Sequence, residues 1–426
     1  MDLYIFLSSF VFLIMLGMPI AFAMIVSSVI YALMNNINLG FLTLQMFTSM
    51  DSFILLAIPF FILASEVMNR ATITKRIFDF ADTVVGFIPG GLGHVNVVTS
   101  VIFSGMSGSA VADVGGIGKM AYQSMVDRGF DKPFSGALTI ASAVIGPIIP
   151  PSLPMVVYAM VANVSLGRMF FGGIGPGLLM GASLMIYVYI ISKKRNYPIS
   201  NALNVKKIIK YLLRAFFPLL TPLILLGGIY SGVVTVTEAA ALAVLYAIIL
   251  GRFAYKMISL KVFFKSLQEV IVTMGPIVIL FPAAKVFGFV LTSEQIPQQL
   301  SSLLLNVSDN PILLIFTINI IFLIVGCFSD PLVNIMLFVP LFLPLIRLTA
   351  LEPVHFGVMI VLNTMIGLIT PPVGALLIAF SGISNLGFEE IAKETIPFIF
   401  ILLLVLIIII FIPQTVLFIP NLLFGN

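Results

Sequence analysis

The chain has no tryptophan, one cysteine and two histidines. A lone cysteine, Cys327, excludes an intrachain disulfide framework. Without a cysteine cluster there is no ligand set for an iron–sulfur centre, and His94 and His355 form no recognisable bis-histidine haem motif. These absences argue against a redox-complex subunit. Charge is scarce as well. Asp, Glu, Lys and Arg make up 9% of 426 residues, against about 25% in a soluble domain. No Lys or Arg precedes Arg70, so the apolar N-terminus lacks the positive region of a secretory signal, despite the cleavage-like Ala21-Phe22-Ala23. With no tryptophan, any aromatic belt at the membrane interfaces rests on tyrosine. The net charge of +4 does not point to nucleic acid; in so apolar a chain it reports cytoplasmic loops.

Apolar sequence is abundant. The chain is 60% apolar, with a mean hydropathy of +1.20. Stretches of about 20 residues, enough to span a bilayer core, recur along it. Examples are 3–34, 173–192, 212–230, 236–251 and 397–420. The chain reads as an all-α polytopic membrane protein. The stretch 3–34 is expected as one retained helix, kinked at Gly17-Met18-Pro19, because proline removes a backbone donor and crowds the preceding turn.

Inside this apolar background one device occurs twice. Ser104-Gly105-Met106-Ser107-Gly108-Ser109-Ala110-Val111-Ala112-Asp113 is followed by Gly146-Pro147-Ile148-Ile149-Pro150-Pro151-Ser152. Gly326-Cys327-Phe328-Ser329-Asp330 is followed by Gly367-Leu368-Ile369-Thr370-Pro371-Pro372-Val373. A constant offset of 221 residues pairs Gly105 with Gly326, Gly136 with Gly357 and Gly146 with Gly367. It also pairs Pro150 with Pro371, Pro151 with Pro372 and Pro176 with Pro397. Duplicated helix breakers in apolar sequence mark a transporter with a binding site at membrane depth.

Each repeat is expected to hold a re-entrant helical hairpin and a helix broken at Pro-Pro. The first repeat covers 1–195, with its hairpin near 95–125 and its broken helix near 134–163. The second covers 215–426, with hairpin 312–346 and broken helix 355–382. The linker 196–214 lies between them. Residues 193–214 carry seven Lys or Arg and no acid, which marks the cytoplasmic side. The segment 252–265 is also basic, whereas loop 293–311 has Glu294 and Asp309 but no base and is expected outside. Arg70, Lys75, Arg76, Lys119, Arg128 and Lys132 flank the first hairpin. The hairpins should therefore open to opposite sides, as inverted-topology repeats require.

A tandem proline pair frees backbone carbonyls, and carbonyls with nearby hydroxyls are hard, uncharged ligands suited to Na⁺. Ser104 and Ser107, with Gly146, Ile149 and Pro150, form one candidate sodium site. Gly326 and Asp330, with Gly367, Thr370 and Val373, form its twin. At least two Na⁺ ions are expected. The substrate, an anion, would lie between the hairpin tips, against Ser107, Ser109, Asp113, Ser152, Asp330 and Lys285. Plainer readings stand beside these. The small residues Gly105, Gly108 and Ala112 equally suit close helix packing. The Pro-Pro pairs equally suit simple kinks, and Asp113 or Asp330 a structural salt bridge. Lys285 could pair Asp330, meet a substrate carboxylate, or snorkel toward the interface. Glu66 and Glu238, near helix ends, read as structural.

Several of these stretches resemble the large membrane subunit of tripartite ATP-independent periplasmic (TRAP) transporters. They are Asp51-Ser52-Phe53, Leu56-Ala57-Ile58-Pro59-Phe60-Phe61, Ser107 to Asp113 and Ile148 to Ser152. In the second half, Thr235-Val236-Thr237-Glu238-Ala239-Ala240 and Gly367 to Gly374 carry the likeness. Cys327-Phe328-Ser329-Asp330 departs from it, where the family often has a methionine-containing stretch before the acid. The resemblance covers nearly the whole chain. It implies a Na⁺-driven importer of organic acids (C4-dicarboxylates, sialic acid or other sugar acids) in the bacterial inner membrane, moving substrate by an elevator motion. It also implies two partners, a small four-helix membrane subunit and a periplasmic substrate-binding protein. Nothing apolar precedes the first repeat, so the small subunit is expected as a separate chain. A stand-alone Na⁺/dicarboxylate carrier of related architecture is the alternative.

Overall fold

The computed structural model describes residues 2–71, 73–307, 310–348 and 351–425, so Asp309, in the loop 293–311, is not among the described residues. All regular structure among the described residues is helical. Six helices are long and apolar enough to cross a bilayer: Phe53–Arg70, Leu166–Arg195, Val205–Tyr230, Val236–Ala254, Leu260–Ser293 and Phe388–Phe411. Large apolar side chains such as Leu213, Leu223, Val272 and Phe400 are exposed on them, as a lipid-facing surface permits. Tyr4, Tyr189 and Tyr230 are also exposed, near helix ends, where a tyrosine belt would lie.

The helix starts follow local chemistry. Thr235 and Glu238 form a capping box, each side chain bonding the other's backbone N–H, which gives Glu238 a structural role. Glu66 is structural too: it bonds Arg70, which reaches Glu269 of the long helix at 2.5 Å. The N-terminal expectation needs correcting. Residues 3–34 are not one kinked span but two short helices, Asp2–Met15 and Ile20–Met34, packed together. Gly17 adopts φ +82, a left-handed conformation that ends the first helix, and Pro19 opens the second.

Helix Gly91–Ser107 turns at Gly108 and Ser109 into a second helical run that ends at Asp127, interrupted by a π-turn at Val114–Gly118. Both ends of this hairpin meet the basic linker. Gly91 packs on the backbone of Ser200, and the Arg128 guanidinium donates to the Ser200 carbonyl at 3.5 Å. Arg195 joins the same end, paired with Asp131 and Glu394 at 3.0 Å each. The second hairpin is Pro311–Gly326 and Pro331–Leu348. Beyond it, Glu352 faces Arg168, which begins the helix that Arg195 ends.

Two broken helices complete the core. Lys132–Ala143 and Leu153–Ala162 flank the first Pro-Pro pair; Pro353–Gly367 and Ala375–Ser384 flank the second. Pro150-Pro151 and Pro371-Pro372 are both cis. The Gly136–Gly357 match found in sequence has a packing reason. Gly357 receives the ring of Tyr158, and a Cβ there would overlap it. Gly136 receives Phe380, whose Cε1 would lie 2.8 Å from such a Cβ. Each broken helix thus lays an aromatic ring from its second half onto a glycine in the first half of the other.

Candidate functional site

The first hairpin tip rests on the first Pro-Pro break. Gly108 has φ +61, and a Cβ on it would overlap the Pro151 carbonyl. The Leu153 N–H donates back to the Gly108 carbonyl at 3.5 Å. Ser109 starts the returning helix, its hydroxyl oxygen accepting from the Ala112 N–H at 3.4 Å. Behind the tip, the Ser107 hydroxyl donates to Oδ1 of Asp113. Asp113 is fully buried, and its Oδ2 has no hydrogen-bond partner among the described residues. That oxygen lies against Gly146, where a Cβ would overlap it. Ser104 is buried beside them and donates to the Val101 carbonyl at 2.5 Å, leaving its oxygen lone pairs free to accept. The Gly146 and Ile149 carbonyls accept none of the turn hydrogen bonds. Ser152 caps Leu153–Ala162, donating to the Pro147 carbonyl and accepting from the Met155 N–H at 3.2 Å.

The second tip is built on the same plan. Gly326 and Gly367 touch backbone to backbone, so a Cβ on Gly367 would lie 2.6 Å from the Gly326 carbonyl carbon. The Gly374 N–H donates to the Cys327 carbonyl at 3.3 Å, and Gly374 stands 221 residues after Leu153, the donor in the first half. Asp330 stands at the same offset from Ser109 and has the same job, accepting from the Leu332 N–H at 2.8 Å. Thr370 donates to the Ile366 carbonyl at 2.7 Å and keeps its lone pairs. Sequence reasoning missed one residue here. Asn334 is fully buried, bonds the Ser329 hydroxyl, and stands 221 residues after Asp113. Carrying the offset past the tip would have found it.

Buried amides tie each hairpin to its broken helix. The Asn96 amide donates to Thr139 at 2.9 Å and accepts from Ser142 at 3.2 Å. In the second half Asn363, the offset partner of Ser142, donates to Asn319 at 2.8 Å. Such bonds are strong where water is absent, so each hairpin and its helix are held as one body.

A cavity of about 70 Å³ lies between the tips, with Ser109, Pro147, Asp330, Leu332 and Leu368 in its wall. It brings Ser109 and Asp330 together. Ser107, Asp113 and Ser152 lie behind this wall rather than in it. Lys285 is not part of it: it lines a separate cavity of about 600 Å³ and makes no ion pair with Asp330 among the described residues. The pairing fails because Asp330 turns its carboxylate to the start of its own helix, while Lys285 projects from Leu260–Ser293 farther along.

Comparison with known proteins agrees with this architecture. The solved structure of the YdaH transporter of Alcanivorax borkumensis, described as having an unusual topology, superposes with a TM-score of 0.65 at 11% identity. The match covers 87% of this chain and 86% of that one, and shows a shared fold. Sequence likeness is far stronger. The sialic acid TRAP transporter large permease protein SiaM of Vibrio cholerae is 42% identical over 96% of both chains. The sialic acid permease SiaT of Haemophilus influenzae is 36% identical over 99% of this chain and 69% of its own length. The C4-dicarboxylate large permease DctM of Pseudomonas aeruginosa is 35% identical over 89% of both. The family model described as "Tripartite ATP-independent periplasmic transporter, DctM component" matches residues 7–415, and the chain belongs to that family of large permease subunits.

Proposed function

We propose that this chain is the transport subunit of a Na⁺-coupled importer for a hydroxylated organic acid, working by an elevator motion of two inverted repeats. The observation that carries the reading is the unpaired Asp113 Oδ2, buried beside the free carbonyls of the first Pro-Pro break. A buried carboxylate oxygen with no partner costs several kcal/mol, on the order of the figure for a broken buried ion pair, unless a cation or proton meets it. Na⁺ fits the donors present: the carboxylate, the Ser104 and Ser107 hydroxyls, and the carbonyls of Gly146, Ile149 and Pro150. Asp113 thus serves this ion rather than the substrate. The second ion would be held by the carbonyls of Gly326, Gly367 and Val373 and the Thr370 hydroxyl. When bound, these ions supply the positive charge that draws an anion between the tips.

The substrate meets Ser109 and Asp330 in the wall of the cavity between the tips. Asp330 repels a second carboxylate and accepts from a hydroxyl, which favours a sugar acid over a dicarboxylate. The higher identity to a sialic acid permease than to a C4-dicarboxylate permease supports the same choice. For alternating access, each hairpin moves with its broken helix, since the amide bonds and crossed aromatics hold them as one body. A small membrane subunit would anchor the outer helices, and a periplasmic binding protein would deliver the substrate.

The test is uptake of N-acetylneuraminate into proteoliposomes holding the chain with both partners. Uptake should require an inward Na⁺ gradient and fail in choline. Uptake that persists in choline would refute Na⁺ coupling. Robust uptake by the chain without partners would make it a stand-alone carrier.

A further inference from the structure

The cavity of about 600 Å³ that holds Lys285 is unrelated to either sodium site, and its size is that of a small-molecule site. One wall is helix Leu39–Met50 and the residues after it, with Gln45, Thr48, Ser49 and Ser52. A second wall is the outer part of Leu260–Ser293, with Lys285 and Thr292. The third is formed by Met160, on the helix that begins after the first Pro-Pro break, and by Met336 and Pro340, on the helix that begins at the second tip. Met336 lies six residues beyond Asp330, about 9 Å along its helix at 1.5 Å per residue.

We propose that this cavity is a receiving site for the single carboxylate of a hydroxylated acid, with Lys285 as its counter-charge. The proposal rests on reading the chain as an organic-acid importer and adds a second station for the same cargo. Three observations carry it. First, no Asp or Glu lines the cavity, and Lys285 has no ion pair among the described residues. Lys285 is exposed to the cavity, and its helix neighbours Phe281, Ala284, Gly288 and Phe289 carry no charge, so an anion in the cavity would be the counter-charge its ammonium meets. Second, three of the four wall hydroxyls spend their protons on their own helices. Thr48 donates to the Gln45 carbonyl at 3.1 Å, Ser49 to Met46 at 2.7 Å and Thr292 to Gly288 at 2.7 Å. The lone pairs of these three can accept from a ligand that brings donors, as a polyhydroxylated molecule does. Third, there is one cation. A dicarboxylate would leave its second charge uncompensated. The methionine wall, soft and adaptable, is suited to letting a ligand pass along toward the tips.

The chain has no tryptophan, so Phe289→Trp sets a single reporter in the cavity wall. The purified full chain would be titrated with N-acetylneuraminate, succinate, sorbitol and dihexanoyl-phosphatidylglycerol, with and without Na⁺. N-acetylneuraminate should change the emission saturably whether or not Na⁺ is present, because no sodium ligand lies here. Lys285→Met should weaken this binding by about tenfold or more, the scale of 1.4 kcal/mol, and Lys285→Arg should keep it. Sorbitol should have no effect and succinate a weaker one. Should Phe289→Trp not fold, protection of Thr48→Cys from a methanethiosulfonate, in a Cys327→Ser background, reads the same occupancy. Equal binding by Lys285→Met overturns the proposal. So does a response to the phospholipid alone, which would make this a lipid headgroup site. Na⁺-independent uptake with Lys285-dependent binding intact would sink the Na⁺ coupling and leave this site standing.

Discussion

The first hairpin buries a carboxylate, Asp113, where the second buries a carboxamide, Asn334. Both residues bond a serine of their own tip, Ser107 in one case and Ser329 in the other. Outside them the assignment reverses, for the first tip caps its returning helix with the Ser109 hydroxyl and the second with the Asp330 carboxyl. Each half therefore carries one acid in the device, at opposite depths. Asn334 satisfies its hydrogen bonds within the protein, whereas Asp113 keeps one oxygen unpaired. The difference teaches that a duplicated scaffold need not duplicate its polar groups: one half buries a carboxyl with an oxygen left over, the other an amide that is bonded within the protein. The chain is a permease subunit of the bacterial inner membrane and not an enzyme, so this asymmetry bears on transport rather than on bond making.

The largest effect should come from making the halves alike. Asp113→Asn keeps the Ser107 bond but replaces the ionisable carboxyl facing Gly146 with an amide. Uptake should fall by about a hundredfold, the equivalent of 2.7 kcal/mol, with the protein still folded. The reciprocal Asn334→Asp should cost less than tenfold on the same scale, since the proposed second site takes its oxygens from carbonyls and Thr370. Initial rates against Na⁺ concentration check both, and equal effects would end the claim of asymmetry.

Next come the glycines that let backbones touch. Gly367→Ala drives a methyl into the Gly326 backbone, which cannot rotate away, so it should destabilise by about 3 kcal/mol. Gly136→Ala meets only the edge of Phe380 and should cost about 1 kcal/mol, read as a smaller drop in melting temperature. A larger loss from Gly136→Ala would show that the aromatic clasp, not the tip, is the tighter contact.

Labelling sharpens the comparison without changing stability. With Cys327→Ser as background, Ser302→Cys should react with an impermeant thiol reagent outside intact cells, and Ser124→Cys should not. Reaction of both from one side removes the inverted arrangement and the elevator motion with it. The smallest effect is expected at the linker end. Asp131 and Arg195 are partly exposed, so Asp131→Asn should cost no more than about 1 kcal/mol of stability. A drop of several degrees in melting temperature would mean that the Arg195, Tyr197 and Glu394 cluster braces the moving body.

Much of this was legible along the chain. Scarce charge and recurring apolar stretches dictate a helical membrane protein, because lipid leaves the backbone no partner but itself. The 221-residue offset located both tips and both Pro-Pro breaks, since glycine and proline act on their own turn of backbone and leave their mark in sequence. It also flagged Gly136 and Gly357 without a reason. That reason, an aromatic ring from the opposite broken helix, is a contact between residues far apart in the chain. The same holds for the rest of what the tertiary structure decided. Asp113 faces Gly146 rather than the cavity between the tips, Ser152 caps a helix, and Lys285 lines a cavity of its own away from Asp330. The N-terminal stretch divides into two helices because their packing outweighs continuity across Gly17 and Pro19. Composition and local breakers act over one turn of helix and are fixed by the sequence itself. Which oxygen meets which neighbour depends on how separated helices stack, and no local pattern encodes it.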